Sequence, residues 1–146
     1  MNIKMTRDTL SDTYFDALRI RHLVFVKEQG VPETLEMESP IDEAHAIHFV
    51  CYDDENQALG TARLLYKGKE NFVQRMAVIK EARGKGIANQ LLQAVIDCAT
   101  NKNSDKLTLH AQLSAKNLYV KHGFIEEGEI FQEAGIDHIT MIKTLK

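Results

Sequence analysis

The hydrophobic positions of the chain change period along its length. Asn2 to Met5 reads as a short first strand. Ser11 or Asp12 can cap a helix running to about Val26, with Tyr14, Phe15, Leu18 and Phe25 near helical spacing and expected on its buried face. Ala46 to Tyr52, Ala58 to Tyr66 and Asn71 to Val78 are apolar, β-rich runs. The polar turns Asp53–Asn56 and Lys67–Lys69 separate them, and connections that short predict an antiparallel meander. The texture then becomes helical. Ile87, Leu91 and Val95, with Ala88, Leu92, Ile96 and Ala99, form a broad apolar stripe. Lys106 to Ala111 reads as a strand. Ser114 is expected to cap a short helix through His122, closed by Gly123. Phe124 to Phe131 and His138 to Thr144 read as two last strands. The order predicts a mixed α/β domain spanning residues 1–146, and the unit from Asn71 to Ala111 is long enough for a right-handed parallel crossover.

Composition narrows the picture without naming a chemistry. The chain has 146 residues and a formal net charge of −3, which disfavours wrapping nucleic acid. No stretch is long and apolar enough to span a bilayer, so a soluble, cytoplasmic protein with no membrane partner is expected. Cys51 and Cys98 show no CxxC or His/Cys metal spacing, so no metal is expected. Both prolines, Pro32 and Pro40, fall in an acidic stretch from Glu28 to Glu43 that reads as a loop with a short helix. An acidic wall there would favour a cationic ligand; a solvated acidic loop is the commoner reading.

The most chemical segment is Ala82 to Ala88, between a predicted strand and a predicted helix. Gly84 and Gly86 allow positive φ and close backbone approach, the first amides of the helix lack intrahelical partners, and Arg83 and Lys85 add charge. Together they suit a phosphate or pyrophosphate. On these residues alone the loop reads equally well as a glycine-rich turn with solvated basic side chains. A Walker A loop is excluded, because Gly84-Lys85 is followed by Gly86 and not by Ser or Thr. A dinucleotide fingerprint is excluded because Asn89 stands where its third small residue belongs.

Arg83-Gly84-Lys85-Gly86-Ile87-Ala88 resembles the R/Q-x-x-G-x-G/A loop of the GCN5-related N-acetyltransferase (GNAT) superfamily. Gln74-Arg75-Met76-Ala77-Val78 resembles its central strand, and Ala115 to Phe124 resembles its A-x-x-x-Y-x-x-x-G-F helix and turn. Arg21 to Gln29, Asp42, His45, His110-Ala111-Gln112 and Glu133 to Met141 are similar to the ElaA-like bacterial branch. The resemblance implies a mostly antiparallel sheet of about seven strands, splayed in the middle and flanked by about four helices. It implies acetyl transfer from acetyl-CoA to a primary amine on a small molecule, by direct attack in a ternary complex. Met76, Ala77, Val78, Arg83, Gly84, Lys85, Gly86, Ile87, Ala88 and Asn117 are then expected to bind the cofactor, with the backbone near Met76 and Val78 meeting the pantetheine arm. Tyr119 matches the tyrosine that protonates the leaving sulfur. Leu118 departs from the aromatic residue common before that tyrosine, which affects local packing alone. The general base is open among Glu28, Asp42, Glu43, His45, His110 and His138, with His110 slightly preferred because it ends the strand flanking the cofactor. Arg21, Glu28, His45, Arg75 and His138 are candidates for the acceptor pocket. An acyl-CoA sensor and a protein lysine or N-terminal acetyltransferase are the alternatives. A homodimer is expected because the C-terminal edge strands need covering.

Overall fold

The computed structural model describes residues 1–37, 39–68 and 70–146. Glu38, within the acidic stretch, and Lys69, within the predicted turn after Tyr66, lie outside the described residues. Strand β1 (Asn2–Thr6) leads to helix α1 (Asp12–Arg21), which continues as a π-helical segment, His22–Glu28. Two short helices, α2 (Glu33–Glu36) and α3 (Pro40–His45), occupy the acidic stretch. Strands β2 (Ile47–Tyr52), β3 (Ala58–Lys67) and β4 (Glu70–Val78) follow. A 3₁₀ turn (Lys80–Ala82) precedes α4 (Ile87–Asn101), and β5 (Lys106–Gln112) comes next. A second 3₁₀ turn (Leu113–Ala115), α5 (Lys116–Lys121), β6 (Ile125–Glu133) and β7 (Ile136–Thr144) complete the described elements.

The strands join one mixed sheet in the order β1-β2-β3-β4-β5-β7-β6. Neighbours are antiparallel except β4 and β5, which run parallel from Glu70↔Lys106 to Val73↔Leu109 and then stop pairing. Beyond that point β4 continues to Val78 and β5 to Gln112, so the sheet splits in its middle.

The amphipathic stripe of α4 covers one face: Ile87, Leu91, Leu92, Val95, Ile96 and Ala99 are buried with Phe49, Leu64, Leu107 and Met141. Each fully buried aliphatic side chain of this kind stabilises the fold by about 1.5–3 kcal/mol. Gly60 on β3 makes the close approach possible, since a Cβ there would stand 2.9 Å from the Ile87 side chain.

Helix α1 covers the other face. The Ser11 hydroxyl accepts from the Tyr14 amide at 3.2 Å and starts the helix as the sequence suggests. Its buried face differs from expectation. Tyr14, Ala17, Ile20, Arg21 and Val24 are buried, whereas Phe15 is 53% exposed and Leu18 and Phe25 are half-buried. Residues 14, 17, 21 and 24 share a helical stripe, and Phe15 sits one step, about 100°, away from it. The Ser114 cap also fails to form. Residues 113–115 tighten into the 3₁₀ turn, and among the described residues no side chain caps the start of α5. Gly123, at φ +88°, follows α5 as expected of a helix-closing glycine.

Candidate functional site

A cavity of about 810 Å³ opens where β4 and β5 part. Its β4 wall is shaped by a bulge. Thr61 pairs with Ala77 and Arg63 with Gln74, which leaves Arg75 and Met76 opposite Ala62. Arg75 holds the left-handed φ of +55°. Bulges re-aim side chains, and a bulky residue at positive φ costs on the order of 1–3 kcal/mol. Among the described residues the edge of β4 beyond Val73 has no partner on its β5 side, so Met76, Ala77 and Val78 line the cleft with backbone groups open to a ligand.

The loop after β4 supplies the end of the cleft. Gly84 and Gly86 have φ of +83° and +78°, with no atom within 4 Å of where a Cβ would stand. Side chains there would project into open space and strain the backbone, so glycine serves both positions. Among the described residues no side chain caps the start of α4, and its first hydrogen bond runs from Gln90 N to Gly86 O. The earlier amides are left as donors at the positive end of a 15-residue helix. Gly84, Gly86, Ile87 and Ala88 line the cavity; Lys85 and Asn117 are exposed and do not. Free amides at a helix start beside two open glycines have the chemistry that suits a phosphate or pyrophosphate, and the residues present are compatible with coenzyme A.

Arg83 also lines the cleft, but its side chain is already engaged. Nε donates to the Val78 carbonyl at 3.1 Å, and Nη1 and Nη2 donate to the Glu28 carboxylate at 2.7 and 2.6 Å. These bonds to Arg83 hold the Glu28 carboxyl below its usual range.

Tyr119 enters from α5. It is 6% exposed, packs edge-on to Phe124 with ring centroids 5.9 Å apart, and lines the cleft. Desolvation pushes its phenol up to about 12. A hydroxyl in that state keeps its proton throughout the neutral range and can donate it.

On the α1 side lies a buried ionic network that charge patterning does not signal. Glu43 accepts from Tyr14 and Arg21, each at 2.7 Å, and from Arg63. Arg21 also bonds Glu36, and Arg75 donates to the Glu36 carbonyl at 3.1 Å. Burial alone would raise the Glu43 carboxyl, but the two guanidinium groups and the Tyr14 hydroxyl hold it down at about 2. The acidic stretch is therefore not a bare acidic wall: Glu36 and Glu43 are matched by arginines and Glu28 by Arg83. Arg75 reaches the cavity, Arg21 lies buried behind it, and His45 is exposed and does not line it.

The opposite wall comes from β5, β6 and β7. His138 Nδ1 lies 2.7 Å from the Ile136 carbonyl oxygen, and its Nε2 lies 3.7 Å from Glu133 Oε2. His110 Nδ1 contacts the other Glu133 oxygen at 3.1 Å. Phe131 sits between the imidazoles, edge-on to His110 and stacked with His138. Both histidines and Glu133 line the cleft.

Comparison with known proteins agrees with this architecture. A family model described as an acetyltransferase (GNAT) domain matches residues 17–145. An uncharacterized N-acetyltransferase of Bacillus subtilis, YjcF, is 35% identical over 130 residues, covering 88% of this chain and 90% of its own. The crystal structure of Escherichia coli ElaA superposes with a TM-score of 0.86 at 25% identity, over 98% of this chain and 99% of that one. An acyl-CoA N-acyltransferase from Pseudomonas aeruginosa shares the fold with a TM-score of 0.84 at 24% identity, over 99% of this chain and 100% of that one.

Proposed function

Since the chain belongs to the GNAT acetyltransferase family, we propose that it moves an acetyl group from acetyl-CoA to a primary amine on a small molecule, by direct attack in a ternary complex. One observation carries this reading. The separation of β4 from β5 after Val73 and Leu109 gathers an anion cradle, an open strand edge and a proton-bearing phenol around one cavity.

The bound acetyl-CoA supplies an activated acyl group as a thioester. The amides at the start of α4, with Gly84 and Gly86, hold the pyrophosphate. The open edge of β4 from Met76 to Val78 orients the pantetheine arm and offers backbone donors where negative charge develops on the acyl oxygen. Tyr119 gives its hydroxyl proton to the departing sulfur. The acceptor enters from the α1 side, between Arg75 and the wall of His110, Glu133 and His138. Cys51 is buried and Cys98 half-buried, and neither lines the cleft, which favours direct attack over an acyl-enzyme.

A thiol-release screen with acetyl-CoA against amines, amino sugars, polyamines and peptides tests the assignment. Release that depends on a small amine supports it. Release with peptides alone would point to a protein-modifying enzyme, and coenzyme A binding without any release would point to a sensor.

A further inference from the structure

We propose that His138 removes the proton from the acceptor's ammonium group, with Glu133 stabilising the imidazolium that forms; this rests on amine acetylation as the reaction. A protonated amine has no lone pair to attack with, so some group in the cleft must accept a proton first. The carboxylates near the acceptor end are poorly suited. Glu43 is held by Tyr14, Arg21 and Arg63, Glu36 by Arg21, and Glu28 by Arg83. Asp42 lines the cleft, but no side chain among the described residues orients its carboxylate.

The histidines differ in a way that decides between them. A carbonyl oxygen only accepts, so the 2.7 Å contact with Ile136 O places the proton of neutral His138 on Nδ1. Nε2 then carries the lone pair. It sits on the side of the ring facing Glu133, whose Oε2 at 3.7 Å is close enough to stabilise the positive charge after transfer. The His138 side chain is 8% exposed and stacked on Phe131, which fixes its plane. His110 Nδ1 facing the Glu133 carboxylate likewise leaves a lone pair on Nε2, but its side chain is 46% exposed, so water competes for that nitrogen and its ring is less fixed. Sheet register puts the two on one face, with His138 opposite Gln112 and His110 opposite Thr140. Among the described residues, Glu133 on β6 contacts His138 and His110 on β5 shares its face, while Glu28, Glu36, Asp42, Glu43, Arg63, Arg75 and Arg83 are the other charged side chains lining the cleft.

The transfer balances. An N–H bond of the ammonium breaks and its proton passes to Nε2. The freed lone pair forms the new C–N bond, and the C–S pair leaves with sulfur, which takes the Tyr119 proton. The nitrogen's second proton restores the Tyr119 phenol, and the imidazolium releases its proton to water. One proton is set free per amide formed.

The test uses the amine that the unaltered protein acetylates fastest. His138→Asn retains a short donor toward Ile136 O but lacks the basic nitrogen. It should lower kcat/KM by on the order of 10²-fold near pH 7. The deficit should shrink toward about pH 10, where much of a simple alkylamine is already neutral. Coenzyme A affinity should stay within about twofold, because the cradle is untouched. Glu133 is exposed, so Glu133→Gln leaves folding intact and should lower kcat/KM by a smaller factor, about tenfold. A deficit below about threefold, or one equal at every pH, overturns the assignment of His138. If the unaltered protein acetylates no amine, the reaction itself is wrong; if it is active and His138→Asn matches it, the proton assignment alone is wrong.

Discussion

Arg83 grips the carboxylate of Glu28 edge-on, with two hydrogen bonds of 2.6 and 2.7 Å, and both residues line the cleft. The guanidinium next to the anion cradle is thus already partnered by a carboxylate. Both side chains are more than a third exposed, so the pair is worth at most about 1 kcal/mol after screening.

A pyrophosphate near this loop competes with Glu28 for the same N–H groups. Glu28→Gln should therefore tighten coenzyme A binding modestly, by up to about fivefold for about 1 kcal/mol. Arg83→Glu should weaken it by more than about tenfold, because a charge-assisted phosphate contact is worth about 1.5–3 kcal/mol. Titration calorimetry with coenzyme A measures both. Unchanged affinity in Arg83→Glu would mean that the pyrophosphate lies elsewhere.

Tyr119→Phe removes a hydroxyl and little else. It should lower kcat by about 10²-fold or more while leaving coenzyme A affinity unchanged. Desolvation raises the phenol from its ordinary 10.0 to about 12, so the protonated form persists to higher pH than for a free tyrosine. The rate should accordingly show no fall from Tyr119 ionisation below about pH 11. A fall centred near about pH 9 that disappears in Tyr119→Phe would contradict that state of the phenol.

Glu43→Gln tests the buried ionic network behind the cleft. It leaves Arg21 and Arg63 short of negative charge in a region where each is at most 5% exposed, and such losses typically destabilise by about 3–5 kcal/mol. Urea unfolding measures this. The folded Glu43 carboxyl lies at about 2 against an ordinary 4.5, so its contribution is in place above pH 4.5 and fades as pH falls toward 2. Part of the loss of stability of the unaltered protein over that interval should vanish in the variant.

Gly60→Ala links the core to the cradle. Its Cβ would stand 2.9 Å from Ile87 Cγ2, 3.0 Å from Leu91 Cδ1 and 3.2 Å from the Ala77 carbonyl oxygen. Overpacking of this kind costs about 1–3 kcal/mol. Because Ile87 opens α4, coenzyme A affinity should fall together with stability. A loss of stability with unaltered affinity would show that the α4 N-terminus is decoupled from this packing.

What the sequence disclosed follows from which interactions are periodic. The α4 stripe, the meander and the last strands were legible because a helix or strand buries residues at a fixed interval. Gly84 and Gly86 were legible because positive φ selects glycine. The bulge at Arg75 leaves no such trace: an arginine in a strand-like run gives no sign of adopting φ +55°. The pairing of Arg21 and Arg63 with Glu36 and Glu43 was hidden for another reason. Charged residues are ordinarily solvated, and only the tertiary fold brings 21, 36, 43 and 63 together. Phe15 misled because size suggested burial, while the smaller Ala17 faces the sheet. Which ring nitrogen of His138 holds the proton was hidden as well, because it depends on the Ile136 carbonyl that the fold brings to Nδ1.

Direct attack requires one cleft to hold acetyl-CoA and an amine together. Initial rates of thiol release, measured while both acetyl-CoA and the best amine of the screen are varied, test this. Intersecting double-reciprocal lines and amine-dependent release are expected. Parallel lines would indicate an acyl-enzyme, and release that ignores every amine would contradict acetyl transfer to an amine altogether.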